Sequence, residues 1–176
     1  MIEKRFQTTE LRAKGRRLEG YAALFGSEAR IGAGIVETIA PGAFSRTLAQ
    51  RADILALVDH DPTRVLARTR SGSLRLSEDT RGLSFDMDVP DTQAGRDVLT
   101  LAERGDLGGM SFGFEARDEH SDGTRRELRV VDLFEISVVS AFPAYEGTVI
   151  NARSLAHGFP VREAAARRLR ILELLK

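Results

Sequence analysis

The sequence predicts an α+β fold built on a largely antiparallel sheet or barrel. Three observations lead there. Most of the chain consists of short apolar runs separated by Gly, Pro and polar turn residues. Several of those runs alternate apolar with polar residues, the period of a half-buried strand. Few stretches have helical spacing, and they fall between the strands rather than pairing with them regularly.

Taken in order, residues 18–25 form an apolar-rich strand that ends at Gly26-Ser27, and residues 35–39 a second one, stopped by Pro41-Gly42. Residues 43–50 read as one or two helical turns, with Phe44 and Leu48 four apart. Residues 53–58 are an apolar strand running straight into His60. Residues 74–76 and 83–89 both alternate, and Thr80-Arg81-Gly82 supplies the turn of a hairpin between them. The clearest helix covers 91–104: Asp91 or Thr92 caps it, Ala94, Val98, Leu101 and Ala102 share a face, and Gly105 ends it. Residues 110–116 are the next strand, and 120–124 are polar and turn-like. Residues 128–142 are the longest apolar, β-branched run, a central strand stopped by Pro143. Beyond Pro160, Val161, Ala165, Leu169 and Leu172 follow helical spacing among Arg162, Arg167, Arg168 and Arg170, a basic amphipathic helix.

At 176 residues the chain reads as one domain with a tail. A globular chain of this length buries roughly 70% of its unfolded surface, enough to hold a core without disulfides or a structural metal. It has no cysteine, which removes any thiol nucleophile, thiolate zinc site or disulfide framework. Lys plus Arg is 26 and Asp plus Glu is 26, so nothing advertises a nucleic-acid partner. No apolar run approaches the length of a membrane span, and the first residues do not lead into a signal-peptide core. The expectation is a soluble, intracellular protein.

The run Gly109-Met110-Ser111-Phe112-Gly113 sets one hydroxyl between glycines and apolar residues, where other backbone can approach it closely. Serine attacks only if a base removes its proton, and a third group must fix that base's tautomer and orientation. The chain has three histidines. His120 lies in a polar stretch that reads as an exposed loop, and His157 precedes Gly158 in a linker. His60 ends an apolar strand, where functional side chains are often displayed, although alone it reads equally as a turn residue between aspartates. Asp59 and Asp61 are poor partners for it, because neighbours on a strand point to opposite faces. Glu135 shares a face with Leu133, Ser137 and Val139, where an unpaired carboxylate is costly; otherwise it is simply solvated. Asp132 is the reserve candidate. The Gly-x-Ser-x-Gly spacing matches the nucleophile elbow of α/β-hydrolases, but that elbow needs a helix after the serine and a histidine last in the chain. Here Phe112 to Glu115 continue as strand and His60 comes first.

In order along the chain stand Gly20-Tyr21-Ala22 with Phe25, the run from Glu37 to Phe44, His60-Asp61, Gly72 to Leu76, Gly82-Leu83, Asp91-Thr92 with Gly95-Arg96-Asp97, Met110 to Phe114, Asp132 to Val139, and Phe142-Pro143-Ala144-Tyr145. Together they resemble the prohead, or capsid-maturation, proteases of tailed phages, relatives of the herpesvirus maturation protease (assemblin). The similarity covers nearly all of residues 1–154 and leaves 155–176 as a basic amphipathic helix or tail beyond it.

The resemblance implies a herpesvirus-protease-like, mostly antiparallel β-barrel of about six to seven strands flanked by helices. It makes Ser111 the nucleophile, His60 the general base and Glu135 the third member, where the herpesvirus enzymes carry a second histidine. The arginine pair those enzymes use near the oxyanion is absent, and Pro143 falls in that neighbourhood. The implied activity is cofactor-free peptide-bond hydrolysis through an acyl-enzyme. Its substrates are the scaffold or a scaffold-like segment of the major capsid protein, inside the assembling procapsid in the host cytoplasm. The family also occurs in prophages and gene transfer particles, and the herpesvirus analogy allows a homodimer. Two other readings compete: an inactive assembly module of the same fold that binds capsid protein, and a metal-dependent hydrolase using Asp59, His60 and Asp61. The second ranks far lower, because adjacent ligands splay apart on a strand.

Overall fold

The computed structural model describes residues 1–7, 11–32 and 34–140. Among them the elements run β1 (Glu3–Gln7), β2 (Leu11–Lys14), β3 (Arg17–Leu24), β4 (Ala29–Ile31), β5 (Ile35–Ile39), α1 (Ser45–Ala49), β6 (Leu55–Val58), β7 (Asp61–Arg68), β8 (Leu74–Glu78), β9 (Gly82–Asp88), α2 (Gln93–Arg104), β10 (Gly109–Ser121) and β11 (Arg125–Val139). The stop at Pro143, His157 and the predicted C-terminal helix lie outside the described residues.

The fold is mostly strand with few helices, but no barrel closes. The strands form two sheets: a seven-stranded one ordered β1-β10-β11-β5-β4, with β6 on β11 and β7 on β6, and a four-stranded one ordered β2-β3-β9-β8. The long strand β11 explains the departure from a barrel. Its 15 residues span roughly 50 Å, far more than one short partner can cover. Along one edge it pairs antiparallel with β10. Along the other it pairs in parallel with β5 through residues 125–128 and with β6 through residues 135–138. The sheet therefore forks, and its branches end in β4 and β7, each with one partner.

Between those two branches the edge of β11 would leave buried backbone groups unpaired, at a cost of about 1–3 kcal/mol each. The segment around α1 fills the gap. Ala40 N–H donates to the Leu128 carbonyl (2.9 Å) and Val131 N–H to the Ala43 carbonyl (2.9 Å). The buried Thr47 hydroxyl donates to the Val131 carbonyl at 2.9 Å and accepts from Leu133 N–H at 3.1 Å. A five-residue helix thus completes a strand ladder.

One apolar cluster joins the sheets, with Leu18, Phe85 and Met87 from one and Met110, Phe112, Phe114, Leu133 and Ile136 from the other, and Val98 of α2 packed in. Phe112 stands edge-on to Phe44 (5.6 Å between centroids) and against Phe114 (5.2 Å), which anchors β10 on both sides of Gly113. Helix α2 begins as expected, the Thr92 hydroxyl accepting from Gly95 N–H (3.2 Å), and Gly105 ends it at φ 74°.

The sequence reading misses β1, β2, β4 and β7. Strand β1 carries charge where a strand pattern calls for apolar residues, because those charges are paired inside. Arg5 bonds Glu37 and Glu3, and Arg126 bonds Glu3, Glu37 and Glu119. Strand β7 contains Pro62, tolerated because β7 is an edge. His120 is not in a loop: β10 runs on to Ser121, and His120 pairs with Glu127 on an exposed ribbon.

Candidate active site

Strands β6 and β7 pair up to Val58 and Asp61, so Asp59 and His60 alone make the turn. Both have positive φ, 51° and 60°, the backbone that two-residue hairpins demand and that Asn-Gly usually supplies. A non-glycine pair there is strained and persists only where its surroundings hold it. The end of β11 does so: Asp59 N–H donates to the Val138 carbonyl (2.9 Å), and its carboxylate accepts from Ser140 N–H (2.8 Å) and the Ser140 hydroxyl (2.9 Å). Asp61 turns to Thr63 instead, whose hydroxyl and backbone N–H hold its carboxyl below the usual range. The two aspartates therefore leave the imidazole to another partner.

That partner is Glu135. His60 Nδ1 lies 2.6 Å from Glu135 Oε1, with both side chains largely buried. An ionised carboxylate only accepts, so the neutral imidazole carries its proton on Nδ1 and presents Nε2 as a lone pair. Nε2 has no hydrogen-bond partner among the described residues. Glu135 Oε2 accepts from the Ser137 hydroxyl at 2.5 Å, so both carboxylate oxygens are used.

The β10–β11 register places Ser111 opposite Ser137 and Gly113 opposite Glu135. Paired and alternate residues share a face, so Ser111 stands one row from the carboxylate, about 7 Å along the strand. On its other side Ser111 pairs with Phe6 of β1. Ser111 is 2% exposed, and its hydroxyl makes no hydrogen bond among the described residues. Gly113 is the floor of the site: a Cβ there would come within 2.5 Å of Glu135 Oε1.

The structure thus joins His60 to Glu135 and sets Ser111 one row along the sheet from that carboxylate, with no hydrogen bond between Ser111 and His60. It does not bring in the reserve candidate, since Asp132 Oδ2 bonds Arg117 Nε at 2.5 Å. Sequence reasoning overlooked Asp59 as the latch of the turn, Gly113 as the floor and Ser137 as a partner of Glu135. The last had a signal, because period-two alternation already put Ser137 on the face of Glu135.

A carboxylate bonded to the imidazole of a turn, with a hydroxyl one row away on the adjoining strand, supplies the three side-chain types that a serine hydrolase site uses. The sequence carries the same mark. Residues 4–159 match the family model of the caudovirus prohead serine proteases, and the chain belongs to that family. Among solved structures, the capsid assembly protease of bacteriophage T4, gp21, is similar at a TM-score of 0.56 and 9% identity, covering 80% of this chain and 97% of that one. At that identity the likeness is one of fold. No curated protein matches.

Proposed function

We propose that the chain is a serine endopeptidase of capsid maturation, with Ser111 as nucleophile, His60 as general base and Glu135 as the group that orients His60. The observation that carries this reading is the 2.6 Å contact from His60 Nδ1 to Glu135. It fixes the tautomer that leaves Nε2 free to accept a proton, and it places a negative charge where the imidazolium will form. In the reaction Ser111 Oγ attacks the scissile carbonyl and its proton passes to His60 Nε2. The imidazolium then protonates the departing amine. A water, deprotonated by the same nitrogen, releases the acyl group and regenerates Ser111. Family membership supports scaffold, or a scaffold-like segment of the major capsid protein, as the substrate, cleaved within the procapsid. We read the frame as kin to the herpesvirus maturation protease, with its sheet forked rather than closed.

The competing reading is an inactive assembly module, and its support is the unbonded Ser111 hydroxyl. Catalytic hydrogen bonds are often long or absent without substrate and tighten only on binding, so that observation decides little. Incubating the chain with its capsid precursor and resolving the products on a gel separates the two. The wild type cleaves, and Ser111→Ala loses cleavage by roughly a millionfold, the loss usual for a missing nucleophile. Equal cleavage by both proteins overturns the mechanism.

A further inference from the structure

We propose that Ser137 is a positioning residue of this site, holding Glu135 at the angle from which its other oxygen meets His60; the proposal rests on the catalytic reading above. Ser137 is 0% exposed and stands between Ile136 and Val138, also at 0%. A methyl would pack there as well, and a buried hydroxyl costs free energy unless it is bonded. The bond it makes is a charge-assisted one, to Glu135 Oε2 at 2.5 Å. Glutamate has three rotatable side-chain bonds, and the contact to His60 constrains only one end of its carboxylate. A second bond on the opposite oxygen, from the same strand two residues on, fixes the remaining rotation. Bare backbone at Gly113 gives the carboxylate room to lie across β10. Ser137 also sits opposite Ser111 in register, so the group that orients the carboxylate and the candidate nucleophile share one row.

The test is a double-mutant cycle with capsid precursor as substrate, read beside the proton spectrum of His60. Ser137→Ala lowers kcat roughly tenfold with KM unchanged, the worth of one hydrogen bond to a charged group. In the Glu135→Gln background the same change costs less than about twofold, because the carboxylate it serves is gone. A residue needed only for packing would cost the same in both backgrounds. In Ser111→Ala protein, which needs no turnover, the low-field Nδ1–H resonance of His60 is sharp and is lost on adding Ser137→Ala. Should Ser137→Ala fail to fold, Ser137→Cys offers a similar shape with a weak donor and is read in the same way. Additive losses, or an unchanged resonance, overturn the proposal. If the wild type cleaves nothing, the protease reading falls while the resonance still decides the role of Ser137.

Discussion

Gly113 has no side chain, and the carboxylate of the proposed site lies where one would be. The Glu135 side chain that bonds His60 lies over Gly113 of β10, where a Cβ would come 2.5 Å from its Oε1. The obstructed atom is the end of a flexible side chain, so Gly113→Ala displaces the carboxylate rather than the strand. The expected result is a kcat lower by about 10- to 100-fold, since ångström-scale misplacement has that effect. Stability should move by less than about 1 kcal/mol. Parallel measurements of kcat and urea midpoint check both, and a large loss of stability would show that the strand has moved instead. At this scale the sequence was a partial guide. Glu135 was legible because alternation puts it on a face where an unpaired carboxylate is expensive. Gly113 was not, because beside Ser111 it reads as half of a nucleophile motif. The positive φ of His60 was hidden too, since Asp-His is not a pair that announces a two-residue turn.

At the scale of elements, β11 organises the molecule, and the segment around α1 makes β11 continuous. Thr47 is 2% exposed, and its hydroxyl serves both Val131 and Leu133. Thr47→Val keeps the shape and removes both bonds, leaving a buried carbonyl and a buried N–H unpaired. The expected cost is about 2–4 kcal/mol of unfolding free energy by urea titration; a change below about 0.5 kcal/mol would mean that water satisfies both groups. Apolar runs and caps gave away β3, β5, the β8–β9 hairpin and α2. The parallel pairing of β5 and β6 with β11 left no local trace, because pairing direction depends on contacts far apart in sequence. Strand β1 escaped notice since its buried face is ionic, and β7 since Pro62 argues against a strand unless the strand is an edge.

Across the whole molecule, the same ionic cluster ties the N-terminal strand to the sheet that carries the site. Burial works to raise the Glu3 carboxyl, but hydrogen bonds from Arg126 and Arg5 outweigh it and hold its pKa at about 2, against 4.5 ordinarily. A folded-state pKa below the unfolded one means that the stabilisation is complete above about pH 4.5 and fades as the pH falls towards 2. Thermal unfolding between those pH values should therefore show a falling Tm in the wild type and a flatter profile in Glu3→Gln, whose side chain does not titrate. Parallel profiles would remove Glu3 from the account. The overall architecture was legible as strand-rich α+β, but the forked sheet was not, since closure or forking depends on the non-local partners of β11. The central claim remains the chemistry of Ser111 under His60, and mass spectrometry after reaction with a fluorophosphonate tests it most directly. The account predicts one adduct, on Ser111, formed at least about 100-fold more slowly in His60→Ala, the usual worth of a general base. An adduct on Ser137 or another serine, or labelling of Ser111 undiminished by the loss of His60, would contradict it.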